Sequence, residues 1–211
     1  MRVAAGSASA GISPRAGGNP RTSTRAFDLM RAKLASDQQR LKLTQSVTRK
    51  IEMKREVLPD YLPYVDETMR LDTGAQDDVL VTLMVWRIDA GDYLGALDIA
   101  RYAIRHGLTM PAHYERSLPA TVAEGFAEAA DVPDAVLGEV LDLTERFDMV
   151  DQIRAKLFKA YGLALAESDK PYAIDLLCRA LRLNDKIGVK RDIARLESEV
   201  AAEKQNSHVD S

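Results

Sequence analysis

Two adjacent carboxylates, Asp77 and Asp78, come nearest to a catalytic pattern in this 211-residue sequence. Paired carboxylates can hold Mg²⁺ for phosphodiester cleavage, so the two residues are candidates for the metal site of a nuclease. They also stand where the sequence predicts the start of a helix, and acids in a first turn offset the positive end of the helix dipole. We therefore expect both to stabilise a helix, and we expect no cofactor unless a nuclease site requires Mg²⁺.

The other residues that could act as nucleophiles or ligands show no catalytic spacing. The three histidines, His106, His113 and His208, have no metal-ligand spacing with one another or with Cys178, so we expect no structural zinc site. The glycines near the N-terminus form no GxxxxGK[ST] phosphate loop, and no predicted strand precedes them. The sequence therefore indicates neither a catalytic residue nor an ATPase site in this chain.

Charge is unevenly distributed along the chain, although the formal net charge is only −3. Residues 1–55 hold twelve Lys or Arg and three acids, whereas residues 56–211 hold 17 basic and 29 acidic residues. This asymmetry favours a polyanionic partner, which we predict to be a nucleic acid contacted through its phosphates; a solvated helix surface with a positively charged tail is the alternative. The candidate DNA contacts are Arg15, Arg21, Arg25, Arg31, Lys33, Arg40, Lys42, Arg49, Lys50, Lys54 and Arg55.

These cations lie on two N-terminal segments. Residues 1–24 are rich in Gly, Ser, Ala and Pro, and we predict a disordered basic tail. Residues 25–58 carry apolar residues in steps consistent with a seven-residue repeat, from Phe27 to Ile51, and predict one long basic helical arm for DNA binding and oligomerisation. The arm is either a coiled-coil seam or a helix packed on the body. No aromatic residue interleaves with the cations after Phe27, which argues against stacking on single-stranded bases.

We predict that residues 59–205 form a compact body of helical hairpins and that residues 206–211 form a frayed tail. Its most informative stretch is GAQDDVLVTLMVWRIDAGDYLGALDIARYAIRHGLTMP, residues 74–111. Gly91 ends the first helix because glycine adopts the left-handed cap conformation without strain, and Asp92 begins the second as its N-cap. Pro59 and Pro63 separate the arm from this body because proline breaks a helix.

A weak internal repeat relates residues 91–108 to residues 168–185. The two segments share an Asp–Ala–Asp–Ala–Arg pattern that begins at Asp92 and at Asp169, and each follows a helix with an inward aromatic residue. Tetratricopeptide-like helix pairs show this arrangement. Two units are too few for a long solenoid, so the pattern indicates a compact body that gains burial from neighbouring chains.

The sequence also indicates where the chain resides. No run approaches 18 apolar residues, so we predict no membrane-spanning helix, and the N-terminus lacks the apolar core of a secretory signal. A single cysteine permits no internal disulfide and fits a reducing compartment. These observations predict a cytosolic location and no membrane partner.

The Gly74–Pro111 stretch resembles the phage small terminase subunit family of temperate, contractile-tailed phages, whose members are often named terminase endonuclease subunits. The likeness includes KLASDQQRLK (33–42), KREVLPDYLPYV (54–65), IRAKLFKAYGLAL (153–165) and KRDIARLESEV (190–200), and covers roughly residues 27–200. The resemblance implies viral DNA packaging during virion assembly in the host cytoplasm, with no place in the mature virion. It implies a homo-oligomer, such as a ring, that recognises the packaging site on concatemeric double-stranded DNA and recruits a large subunit carrying the ATPase and nuclease.

Two other functions remain open from the sequence. The chain could be a metal-dependent endonuclease in its own right, with Asp77 and Asp78 in the site. It could instead be a tetratricopeptide-like scaffold that binds only protein, with its basic arm docked on an acidic partner. The family label "endonuclease" could describe cleavage by the assembled enzyme, and the sequence identifies no residue that would perform it.

Overall fold

The computed structural model describes residues 20–209, with side chains for residues 25–205, and this part is all-α as predicted. Residues 1–19, which hold most of the predicted disordered tail, lie outside the described part. Within it no helix is long and apolar enough to cross a membrane. In chain order the helices are α1 (Pro20–Leu43), α2 (Val47–Val57), a 3₁₀ helix (Leu58–Tyr61), α3 (Leu62–Leu71), α4 (Asp78–Ala90), α5 (Tyr93–Arg105), α6 (Leu118–Glu128), α7 (Asp134–Thr144), α8 (Asp151–Ala164), α9 (Lys170–Leu183) and α10 (Lys190–Val209).

The predicted hairpin is present as α4 and α5, and its turn has the predicted chemistry. Gly91 has φ of +83°, and its N–H and that of Asp92 donate to carbonyls in the last turn of α4. The Asp92 carboxylate then accepts a hydrogen bond of 3.1 Å from the Gly95 N–H at the start of α5. Two adjacent residues therefore end one helix and begin the next.

Helix α4 lies at the centre of the N-terminal half. Most of its residues are buried, including Val81 and Leu83 on opposite sides of the helix, and it packs against α1, α2, α5 and α6. A helix that is apolar all round must be covered on every side. The sequence of α4 therefore requires the helices that surround it.

The predicted long arm is not one helix, and this prediction was wrong. The helix begins at Pro20, five residues before the predicted start, and ends at Leu43; a second helix starts at Val47. The Thr44 hydroxyl donates back to the Arg40 carbonyl, and the Ser46 hydroxyl accepts from the Arg49 N–H at 3.2 Å. Ser46 is thus an N-cap, which allows the chain to leave one helix and begin another.

Both arm helices pack on the body. Leu34 of α1 and Met53 of α2 are buried, and α1 and α2 both contact α4. Of the two predicted alternatives, an arm packed on the body therefore describes the structure of a single chain. The consequence for function is that the buried faces of α1 and α2 cannot contact DNA while this packing persists.

The C-terminal half contains the second predicted hairpin. Helices α8 and α9 lie side by side, α6 and α7 cover α8, and α10 packs on α9. The Asp169 carboxylate accepts from the Tyr172 N–H at 3.0 Å at the start of α9, as Asp92 does at the start of α5. The residues shared by the internal repeat therefore include the cap of each second helix.

Candidate nucleic-acid interface

Two of the candidate cations on α1 serve a buried carboxylate. Asp37 is only 6% exposed; its Oδ2 accepts hydrogen bonds of 2.8 Å from Lys33 and 2.8 Å from Tyr61, and its Oδ1 accepts 3.3 Å from Arg40. Burial would raise the pKa of Asp37, but these donors together hold it below its usual value. Lys33 also pairs with Asp60 at 3.1 Å and lies over the Tyr61 ring, so its ammonium already has protein partners.

Two candidate cations on α2 dock on the C-terminal end of α4. Arg55 donates to the Ala90 carbonyl at 2.8 Å, and Lys54 forms an ion pair with Asp89. Cations near the last carbonyls of a helix are stabilised by the helix dipole. Lys54 and Arg55 therefore have a structural role, although each retains some exposure to solvent.

Arg49 and Arg40 are more exposed. Arg49 pairs with Glu52 and Glu56, each at 3.0 Å, and all three side chains are about half exposed. Ion pairs this exposed contribute little free energy because solvent screens them, so a phosphate could displace the carboxylates. Arg40 is likewise exposed beside Asp37. These two cations could reach either an acid or a DNA phosphate.

Four of the predicted DNA contacts have no acidic partner among the described side chains. We call them the unpaired cations: Arg25, Arg31, Lys42 and Lys50. Arg31 and Lys42, both exposed on α1, are eleven residues apart, which places them on nearly the same helix face about 16 Å apart along its axis. Arg15 lies outside the described residues, and Arg21 lies in α1 where side chains are not described.

A groove brings two of the unpaired cations together with aromatic side chains. It encloses about 590 Å³ where α1 and α2 meet α4 and the loop between α5 and α6. Its wall includes the unpaired Lys42 and Lys50. A third lysine of the wall, Lys54, forms an ion pair with Asp89. We call this the lysine groove; its lining is Gln38, Leu41, Lys42, Lys50, Lys54, Trp86, His113 and Tyr114.

The aromatic residues of the lysine groove were missed in the sequence analysis. Trp86, the inward aromatic residue that precedes the first repeat segment, is only 5% exposed, but part of it lines the groove. His113 and Tyr114 lie in the α5–α6 loop with ring centroids 4.4 Å apart, and burial followed by the charge of Asp89 raises the pKa of Tyr114. Adjacent aromatic residues in a loop were a signal, but their proximity to Lys42 required the fold.

Asp77 and Asp78 lie at the N-terminus of α4. Asp77 is buried and is the N-cap: Oδ1 accepts from the Leu80 N–H at 2.9 Å, and Oδ2 accepts from the Tyr64 hydroxyl. Burial raises its pKa even though these donors oppose the shift. Asp78 is exposed and accepts from Gln76 at 2.8 Å. Within the described part, no group of three or more His, Cys, Asp or Glu side chains is arranged to hold a metal ion.

The fold and this site together define an all-α protein with unpaired cations on two N-terminal helices. Comparison with known proteins then gives the family. Residues 31–152, more than half of the chain, match the family described as phage small terminase subunit. The chain belongs to this family.

Two relatives support the assignment. The chain is 45% identical over 183 residues to the "Terminase, endonuclease subunit" of Escherichia phage P2, covering 82% of this chain and 74% of that protein. It is 28% identical over 195 residues to the "Probable terminase, endonuclease subunit" of Haemophilus phage HP1 (strain HP1c1), covering 80% and 68%. No solved structure matches the chain.

Proposed function

We propose that this chain is the DNA-binding small subunit of a viral packaging terminase. It binds the packaging site on concatemeric phage DNA in the host cytoplasm and recruits a large subunit that carries the ATPase and the nuclease. The proposal rests on membership of the phage small terminase subunit family. The observation that carries the DNA-binding part is the presence of the four unpaired cations, all on α1 and α2.

Electrostatics explain why a duplex would use this surface. Phosphate contacts release counterions from DNA, so cations without a protein carboxylate contribute most to affinity. The body, by contrast, carries the excess of acids, which repel the duplex and direct it to the N-terminal helices. Phosphate contacts position the protein and carry no sequence information. Recognition of the packaging site therefore requires contacts with base edges in addition to the phosphate contacts, which an oligomer would repeat in each subunit.

The test is duplex binding by the full-length chain with all four unpaired cations changed to Ala. We would measure anisotropy of labelled duplex DNA at several salt concentrations. The slope of log K against log[salt] is expected to flatten by up to about 3.6, because each lost phosphate contact removes about 0.9. The matched control changes four exposed cations near the C-terminus, Arg182, Lys186, Lys190 and Arg191, and should retain the wild-type slope.

The full chain is necessary for this test. Removing residues 1–58 would uncover the faces of α4 that α1 and α2 contact, so loss of binding by a truncated body would not identify the DNA surface. An unchanged slope in the quadruple variant, or an equal loss in the control, would overturn the assignment of DNA binding to α1 and α2.

The proposed large-subunit contact is tested with the same variants. A purified large subunit should bind wild type and the quadruple variant alike, because the variant leaves the acidic body unchanged. Light scattering of both proteins should give the same oligomer mass. Retention of the large subunit by a chain that binds no duplex at low salt, even as wild type, would favour the protein-binding scaffold instead.

A further inference from the structure

We propose that the lysine groove binds a nucleotide unit, with its phosphate on Lys42 and Lys50 and its base against His113 and Tyr114. The inference goes beyond duplex binding, because phosphates of a duplex need no aromatic contact and its bases are stacked inside. The groove could receive a nucleotide from the unpaired or terminal part of a DNA strand, or a free nucleotide in solution. Both ligands present a phosphate and a base to the groove.

The charge of the groove points to an anion. Lys42 and Lys50 line the same space and have no acidic partner among the described side chains, whereas Lys54 is paired with Asp89. Two lysines without acidic partners that line one groove make it positively charged, and a phosphate bearing one or two negative charges would neutralise that charge. Charge-assisted hydrogen bonds to phosphate oxygens are the stronger kind.

The rest of the lining points to a ring beside that anion. His113 is exposed and Tyr114 half-buried, and their rings lie next to each other at the groove. Bases stack on such side chains regardless of sequence, and each stacked base contributes about 1–3 kcal/mol by alanine substitution. The groove volume of about 590 Å³ lies within the range of small-ligand sites. A surface that bound only a phosphate backbone would not need this aromatic wall.

Trp86 lines the groove and is the only tryptophan of the chain, so its fluorescence can report binding there. We would titrate the full-length protein with deoxyadenosine monophosphate and follow Trp86 fluorescence, with calorimetry as a second readout. The expected result is saturable binding about tenfold tighter than that of inorganic phosphate, because the base adds stacking. A single-stranded tetranucleotide distinguishes the sources: tighter binding than the mononucleotide identifies a strand, and equal binding identifies a free nucleotide.

Variants separate the two parts of the site. Lys42→Ala and Lys50→Ala should each weaken nucleotide binding about tenfold. His113→Ala should weaken the mononucleotide about tenfold while leaving inorganic phosphate unchanged. Lys186→Ala is the matched control, since it removes an exposed lysine that neither lines the groove nor belongs to the unpaired cations, and it should leave nucleotide binding unchanged.

Failure of this inference is distinguishable from failure of the proposed function. No saturable nucleotide binding, or equal affinity for inorganic phosphate and nucleotide, would overturn the inference, while salt-dependent duplex binding would leave the proposed function standing. Nucleotide binding that survives Lys42→Ala together with Lys50→Ala would also overturn it, because the ligand would then occupy another site.

Discussion

The Tyr61 hydroxyl donates a 2.8 Å hydrogen bond to Oδ2 of Asp37, which joins the 3₁₀ helix to the packed face of α1. Both residues are buried, with Tyr61 0% and Asp37 6% exposed. A carboxylate on an apolar helix face requires donors, since an unsatisfied buried polar group is strongly destabilising. This pair therefore holds the first helix in register with the chain that follows it.

Tyr61→Phe should lower the free energy of unfolding by about 1–3 kcal/mol, because it leaves the Asp37 carboxylate buried with one donor fewer. Urea unfolding followed by circular dichroism measures this difference. Tyr172→Phe is the matched control: the Tyr172 side chain is 39% exposed, and its change should stay within about 0.5 kcal/mol. Equal effects of the two substitutions would show that the Tyr61–Asp37 bond does not stabilise the fold.

The pH dependence of stability should identify the charge on Asp37. Its pKa in the folded chain lies below the ordinary value of 3.8, because the hydrogen bonds from Lys33, Tyr61 and Arg40 outweigh burial. A lowered pKa stabilises the folded state at pH above the unfolded value, and this stabilisation is lost as the pH falls through the folded value. Asp37→Asn should therefore be less stable than wild type at pH 7, with a difference that shrinks below about pH 4.

Urea unfolding from pH 7 to pH 3 measures that difference. The control is Asp66→Asn, an exposed carboxylate on α3, which should follow the wild-type pH profile. A difference between Asp37→Asn and wild type that stays constant over the whole range would contradict the predicted ionisation.

Substitutions at Asp77 separate a helix cap from a nuclease site. Asp77→Asn keeps an oxygen that can accept from the Leu80 N–H, so its stability should change little, whereas Asp77→Ala should lose about 1–2 kcal/mol. Thermal unfolding of both variants measures this. Cleavage of plasmid DNA by the purified chain with Mg²⁺ is the second measurement. Nicking that is lost in Asp77→Asn or Asp78→Asn, with the fold retained, would establish the endonuclease alternative.

The local part of the fold could be predicted from the sequence. Gly91 and Asp92 determine the α4–α5 turn through their own backbone and side chain, so two letters of sequence were sufficient to place it. The second helix of the α8–α9 hairpin begins with the same kind of cap at Asp169. The family resemblance came mainly from residues 74–111, which hold α4 and α5, and it agrees with the comparisons with known proteins.

The features of the structure that could not be predicted depend on contacts between residues far apart in the sequence. The role of Asp37 could not be predicted from its own segment, because its donor Tyr61 lies 24 residues away. The break before Val47 was missed since Ser46 looked like any polar residue of a basic helix. The lysine groove is assembled from α1, α2, α4 and a loop, and no pattern within one segment predicts such a site.

The close approach of α8 and α9 gives a last prediction. A Cβ at Gly162 would lie 2.9 Å from Cγ of Leu177 and 3.1 Å from the Ala173 carbonyl oxygen, and this backbone atom cannot move aside. Alanine favours a helix over glycine by about 1 kcal/mol, but overpacking costs about 1–3 kcal/mol, so Gly162→Ala should destabilise the chain on balance. Gly125→Ala, whose Cβ would meet the flexible end of Ile88 at 3.2 Å, is the matched control and should be less destabilising. Urea unfolding that ranks the two variants in the opposite order would show that α8 and α9 are not held this close in solution.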